Sequence, residues 1–308
     1  MDVRALLIVN PHATTTTKVR RDVIVHALAS ELDLEVVQTR YRGHASSVAA
    51  AAARDGYGLV LTLGGDGTVN EAVNGLLEAH PPPGAPLLAA LPGGNANVFA
   101  RALGLPADPV DATGQILASL LDGRSRTVGL GLADGRYFCF NAGLGLDAEV
   151  VRVVEGLRAR GQTLSAALYV WTAARQFLSV TNRREPALTL ERDGQPAMDG
   201  LFLGIVSNAA PWTYLGQRPV NASPSAGFDT GLDLFALRKF GALRVLNAVR
   251  QMLGDGGPAG RHVVSLHDQD ALTFRAARPV AFQVDGEYVG EREHVMLRSI
   301  PNALRVLV

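Results

Sequence analysis

Four stretches of the chain combine residue types that could hold phosphate or move a proton. The first is Gly64, Gly65, Asp66, Gly67 and Thr68, set between a strongly apolar run and a helix-like run. Glycine has no Cβ, so backbone amides there can close on anionic oxygens, and positive φ is accessible. The helix expected to start near Thr68 would add its positive end to the same anion. Asp66 among phosphates calls for a cation, which makes it a candidate for holding Mg²⁺ directly or through water. Taken alone, the string also reads as a turn with a helix cap. A second loop has Gly93 and Gly94 followed by Asn95 and Asn97, whose neutral amides can bind phosphate or ribose. Arg101 lies one helical turn further on. The third, NPHATTTTKVR, ends a strand at Asn10 and offers hydroxyls at Thr14 to Thr17 with Lys18 beside them; an N-cap with a solvated lysine is the simpler account. The fourth is Asp285, Gly286 and Glu287, a hairpin turn by residue type and also a pair of carboxylates able to accept a hydroxyl proton.

The elements that must position these loops alternate at first. The runs ALLIVN, LEVVQ, GLVLTL and LLAALP read as strands, with helical stretches at Thr16 to Glu31, His44 to Arg54 and Val69 to Ala79. That rhythm predicts a parallel sheet with helices on its faces, and ligands at the carboxyl ends of its strands. From about Arg126 the texture becomes alternating runs and tight turns, which predicts antiparallel strands. Helical candidates there are Ala148 to Val180, with a break at Gly161, and Phe240 to Leu253. The expected organisation is an α/β, Rossmann-like domain over 1–130 and a β-rich, sandwich-like domain over 131–308. Pro81 to Pro83 with Gly84 reads as a rigid turn.

Composition narrows the class. At 47% hydrophobic residues over 308 positions the chain can bury a large core, which argues against disorder. Its 29 basic residues balance 29 acidic ones, so no global field draws it to nucleic acid or a membrane, and any such attraction is local. A single cysteine, Cys139, excludes an intramolecular disulfide and fits the cytoplasm, and the N-terminus lacks the pattern of a secretory signal. No uncharged apolar run is long enough to span a bilayer.

Taken together the strings resemble the diacylglycerol kinase catalytic-domain family, specifically the soluble bacterial lipid kinases related to sphingosine kinases. The resemblance rests on Asn10 with Pro11, Thr39 with Gly43 to Ala45, GGDGTVNE at Gly64 to Glu71, LPGGNAN at Leu91 to Asn97, NAGLGLDAEV, FDTGLDL and DGE. It implies ATP contacts from Asn10, Thr39, Gly64, Gly65, Asp66, Gly67, Thr68, Val69, Asn70 and Asn95. It implies a general base at Glu287 with Asp285 beside it, and a Mg²⁺ site with the Asp229 side chain and the Ala226 and Gly231 carbonyls. Asp66, Asp285 and Glu287 form the expected catalytic set. The chain departs from the family pattern at Asn95, at Asn97 with Val98, and at Gly129, where an acidic residue is common.

The expected reaction is ATP-dependent phosphorylation of a lipid hydroxyl, diacylglycerol first, entering from a cleft between the domains. The alternatives are a soluble-substrate kinase of the NAD kinase kind, since GGDGT marks those families too, and a non-catalytic nucleotide-binding protein. A membrane lipid is the expected partner, with peripheral membrane contact, no nucleic acid, and a homodimer compatible with the sequence. The membrane-contact candidate is Val151 to Val180, where Leu164, Leu168, Trp171, Phe177 and Leu178 accompany several arginines. A helix pair packed on the β-rich domain is its simpler account.

Overall fold

A computed structural model describes residues 3–13, 15–79, 85–159, 186–239 and 241–308. The Pro81 to Pro83 turn and most of the Val151 to Val180 candidate, Trp171 included, lie outside the described residues. The chain divides into two compact units, 1–130 with 301–308, and 131–300.

The first unit runs β1 (Arg4–Val9), α1 (Lys18–Ala29), β2 (Asp33–Gln38), α2 (His44–Arg54), β3 (Leu59–Gly64), α3 (Asp66–Ala79), β4 (Leu87–Pro92), α4 (Val98–Ala102) and α5 (Pro109–Leu121). The next strand, β5 (Arg126–Ala133), begins in this unit. β2, β1, β3 and β4 pair in that order, all parallel, with Leu7 level with Val36 and with Leu61. All six residues of β3 are buried, as a central strand covered on both faces requires. The continuous apolar run GLVLTL carries that signal in the sequence. α3 begins at Asp66, two residues earlier than the sequence suggests. α5, which the strand–helix rhythm does not announce, is started by the Asp108 carboxylate, which accepts from the N–H groups of Val110 and Asp111, with Pro109 in the first turn.

The second unit continues with β6 (Arg136–Phe138), β7 (Asn141–Gly145), α6 (Leu146–Ala159), β8 (Leu188–Arg192), β9 (Gln195–Leu201) and β10 (Leu203–Ser207). It goes on through β11 (Thr213–Leu215), β12 (Arg218–Val220), β13 (Leu232–Leu237), α7 (Ala242–Met252), β14 (Val263–Gln269), β15 (Ala271–Val284) and β16 (Glu287–Val306). Its main sheet is antiparallel in the order β14, β13, β10, β7, β15, β16. Side chains alternate between two cores: Leu232, Leu234 and Ala236 of β13 enter one, Phe235 and Leu237 the other. α6 and α7 cover the second core through Leu146, Val150, Val154, Ala248 and Met252.

The domain boundary expected at the C-terminus is corrected. Pro301–Val308 belongs to the first unit, because Val306 pairs in parallel with Leu88 and the Leu307 N–H donates to the Leu88 carbonyl at 2.9 Å. Leu304, Val306 and Leu307 are buried there, and the Ser119 hydroxyl donates to the backbone oxygen of Val308.

One close approach fixes the helix layer of the first unit. A Cβ on Gly75 of α3 would stand 2.0 Å from the Ser46 carbonyl oxygen of α2, backbone against side chain with nothing flexible to yield. Alanine normally favours a helix over glycine by about 1 kcal/mol. Gly75→Ala is nevertheless expected to destabilise the chain by ~1–3 kcal/mol through overpacking. Denaturant unfolding reads this directly, and an unchanged or raised midpoint would contradict the packing.

Candidate active site

The parallel registers bring the ends of β1 to β4 to one edge. The Asn10 N–H donates to Leu63 at 2.9 Å and the Thr39 N–H to Val9 at 2.8 Å, while the Gly93 N–H donates to Gly64 at 2.8 Å. Asn10, Thr39, Gly64, Gly65 and Gly93 are thereby gathered at the carboxyl ends of their strands. Asn10 and Gly64 stand on either side of the point where the chain, having laid β2 on one flank of β1, places β3 on the other. In open α/β sheets that is where ligands bind.

The glycines of this edge answer first to each other. A Cβ on Gly94 would come within 2.6 Å of the Gly65 Cα, and one on Gly93 within 2.9 Å of the Gly64 nitrogen. Two loop backbones are in direct contact, and no side chain fits between them. None of Gly64, Gly65, Gly93 and Gly94 has a left-handed φ, so of the two reasons for glycine here, the missing Cβ and access to positive φ, these four positions use the first. The left-handed residue in this region is Asn97, with φ of 48°. Its amide is spent on the loop itself, its Oδ1 accepting from the Gly94 N–H at 2.8 Å and its Nδ2 donating to the Gly94 carbonyl at 2.7 Å. Asn95 is exposed beside it.

Each polar residue of the GGDGTVNE string has a defined place. Asp66 opens α3, and its Oδ1 accepts from the Phe99 N–H at 3.1 Å, tying α3 to the first turn of α4. The Thr68 hydroxyl accepts from Asn10 Nδ2 at 3.2 Å. Val69 and Asn70 are buried. Glu71 caps α2: its carboxylate accepts from the Gly43 N–H at 2.7 Å and the Ala45 N–H at 3.1 Å. The GHA string and Glu71 are thus partners, a role the sequence did not reveal. Thr17 caps α1, accepting from the Arg20 N–H, and Lys18 is exposed. The Thr16 hydroxyl is different. It is buried against Gly93 and has no hydrogen-bond partner among the described residues. An orphaned hydroxyl beside a backbone cradle, at the mouth of a helix whose first N–H groups lack intrahelical acceptors, suits a phosphate-bearing ligand.

In the second unit Asp285 and Gly286 form a two-residue hairpin turn between β15 and β16, with φ of 47° and 76°. The Asp285 carboxylate is buried and accepts three backbone N–H groups: Cys139 at 2.6 Å, Phe140 at 3.0 Å and Asn141 at 3.1 Å. It anchors the turn to the start of β7. Glu287 is half-buried, and its Oε2 accepts from Arg136 Nη2 at 2.7 Å. Arg136 lies 151 residues away in sequence, and no local pattern could pair the two.

Behind the turn lies a buried polar network. Gln283 Oε1 accepts from the Gly286 N–H at 2.8 Å, and its Nε2 donates to Asn141 Oδ1 at 2.8 Å and Asp147 Oδ2 at 2.7 Å. Asp147 covers Gly143, where a Cβ would sit 1.8 Å from its Oδ2. The spacing of NAGLGLD is set by this contact. Burial pushes the Asp147 carboxyl up to about 6, partly offset by the Gln283 hydrogen bond.

Ala226, Asp229 and Gly231 lie together in the turn before β13. One carboxylate and two carbonyl oxygens are the hard donors Mg²⁺ prefers. The Ala226 carbonyl already accepts from the Ala210 N–H at 3.1 Å and keeps a second lone pair, while Asp229 is exposed. Gly231 is clamped against β14, its N–H donating to Asp268 Oδ1 at 2.6 Å. The set fits a hydrated cation at the surface.

The chain is similar to known proteins in sequence and in fold. Residues 4–133 match the diacylglycerol kinase catalytic domain family. Diacylglycerol kinases of Staphylococcus aureus strains RF122 and JH9 are each 26% identical over 296 residues, covering 94% of this chain and 88% of theirs. A solved diacylglycerol kinase structure from Bacillus anthracis superposes with a TM-score of 0.70 at 19% identity, over 99% of this chain and 96% of that one. An NAD kinase from Archaeoglobus fulgidus in complex with ATP superposes with a TM-score of 0.54 at 11% identity, over 99% and 93%. The resemblance to the diacylglycerol kinase catalytic-domain family is therefore real, and the fold is the α/β unit with a β-rich partner that the sequence suggests.

Asp147 allows a test of the buried network. Its proton is held more tightly in the folded chain than in the unfolded one. Stability therefore falls as pH rises from the ordinary carboxylate range to about 6, and this contribution is level above that. Asp147→Asn is expected to remove that slope. The unfolding free energy of the variant relative to the parent should grow by on the order of 2–3 kcal/mol between about pH 4 and pH 7. A difference that does not vary with pH would mean that Asp147 folds already ionised.

Proposed function

We propose that the protein transfers the γ-phosphoryl group of MgATP to the hydroxyl of a membrane lipid, with diacylglycerol as acceptor and phosphatidic acid as product. The observation that carries this is the strand-end edge of the first unit: two glycine loops in backbone contact, a helix N-terminus and an unsatisfied Thr16 hydroxyl, within the segment that matches the diacylglycerol kinase catalytic domain. The similarity to the Staphylococcus aureus diacylglycerol kinases extends across the second unit as well, which favours the lipid acceptor over a soluble one.

In this reading the nucleotide lies along the edge formed by Asn10, Thr39, Gly64 to Asn70 and Asn95. Backbone N–H groups and hydroxyls would take the phosphate oxygens, and Asp66, with one carboxylate oxygen already on Phe99, would help hold the Mg²⁺ that accompanies ATP. Mg²⁺ would neutralise charge on the transferred phosphoryl group. A second, structural cation would be held by Asp229 and the Ala226 and Gly231 carbonyls. Glu287 accepts the acceptor hydroxyl's proton as the new P–O bond forms and the bond from the γ-phosphorus to the bridging oxygen breaks to release ADP, and Arg136 fixes the orientation of Glu287. In this reading Asp285, which accepts three backbone N–H groups, holds the turn that presents Glu287. The protein would work in the cytoplasm, peripherally on the membrane.

The NAD kinase reading keeps the same edge and changes the acceptor; the Archaeoglobus fulgidus structure supports it at the level of fold.

Incubation with γ-labelled MgATP, mixed-micelle lipids and NAD as a soluble control distinguishes the two. The expected result is label in phosphatidic acid, lost by ~10²-fold or more in Glu287→Gln with the fold retained. Label on NAD alone would overturn the lipid acceptor, and full activity of Glu287→Gln would remove that carboxylate from the reaction.

A further inference from the structure

The helix α7 is apolar on two faces. Ala248 and Met252 are buried in the second unit's core with Val245 packed against it. On the outer side Leu243 is 83% exposed, Leu246 66% and Val249 41%, one stripe at three-residue spacing. Leaving three such side chains in water on one short helix is costly, and they are the largest exposed aliphatic group on any described helix of this unit.

The stripe has a charged border. Between 238 and 262 the chain carries Arg238, Lys239, Arg244, Arg250 and Arg261 against a single acid, Asp255, in a protein whose overall formal charge is zero. Arg238, Lys239, Arg244, Arg250 and Arg261 are all exposed. His262 lies within this border, and its pKa is lowered by desolvation and then by the charges of Arg244, Arg261 and Lys239. The neutral whole thus hides a local cationic field around an apolar stripe.

We infer that the outer face of α7 and its cationic border form the surface by which the protein docks on an anionic bilayer. The inference rests on the lipid-acceptor reading and gives it a place of contact that differs from the Val151 to Val180 segment. Apolar side chains entering the headgroup boundary, with arginine and lysine at anionic headgroups, are the chemistry of an interfacial helix. A second copy of the chain fits less well, since a two-fold contact would set the cationic border against itself. Nucleic acid would gain nothing from the leucines.

The test is co-sedimentation of the full chain with phosphatidylcholine vesicles, with and without phosphatidylglycerol. Binding is expected only with phosphatidylglycerol. It should fall by at least about tenfold in Leu243→Asp with Leu246→Asp, and comparably in Lys239→Glu with Arg244→Glu. All of these side chains are exposed, so matching unfolding curves are expected. Undiminished vesicle binding in both variants would overturn the assignment, as would a parent dimer that the leucine substitutions dissociate. Phosphorylation of a water-dispersed short-chain diacylglycerol should be unchanged in the variants. If the parent phosphorylates no lipid while binding still depends on α7, the acceptor reading falls and the docking surface stands.

Discussion

The contact between the Gly64–Gly65 and Gly93–Gly94 backbones is the constraint on which the first unit's site depends. With a Cβ at Gly94 only 2.6 Å from the Gly65 Cα, either the loops separate or the strands β3 and β4 lose register. Everything else at that edge is arranged around this pair. Asn97 staples the second loop, Asp66 ties α3 to α4, and Asn10 reaches Thr68 from the end of β1. Glu71 and Gly75 then seat α3 on α2, one by a carboxylate cap and the other by the absence of a side chain. Motifs that read as a ligand-binding signature are to a large extent the means by which the loops hold one another.

The second unit uses a different device to the same end. A buried carboxylate is surrounded by three N–H groups, and this fastens a hairpin turn whose next residue is half-exposed. Gln283, Asn141 and Asp147 support the turn from behind. Asp285 is held by backbone N–H groups, whereas Glu287, one residue beyond Gly286, is held by the Arg136 side chain.

Much of the fold was legible because its signals are local. The apolar runs of β1, β3 and β4 declare buried parallel strands, and Asp285-Gly286 declares its hairpin. The candidate residues of the first unit were legible by type and by resemblance. Their structural duties were not, since Glu71 with Gly43, Asp66 with Phe99, and Gly94 with Gly65 meet only after the sheet has formed. Arg136 with Glu287 and Asp147 with Gln283 were hidden for the same reason: more than a hundred residues separate the members of each pair. Return of Pro301–Val308 to the first unit is equally non-local, fixed by a parallel pairing with β4 that no nearby turn announces.

The central claim is a division of labour, nucleotide binding by the glycine edge of the first unit and proton handling by Glu287 of the second. Calorimetric titration of MgATP into the parent, Gly94→Ala and Glu287→Gln tests it most directly. The account predicts saturable binding to the parent and to Glu287→Gln with similar affinity, and loss of binding in Gly94→Ala. Retained affinity in Gly94→Ala, or its loss in Glu287→Gln, would contradict it.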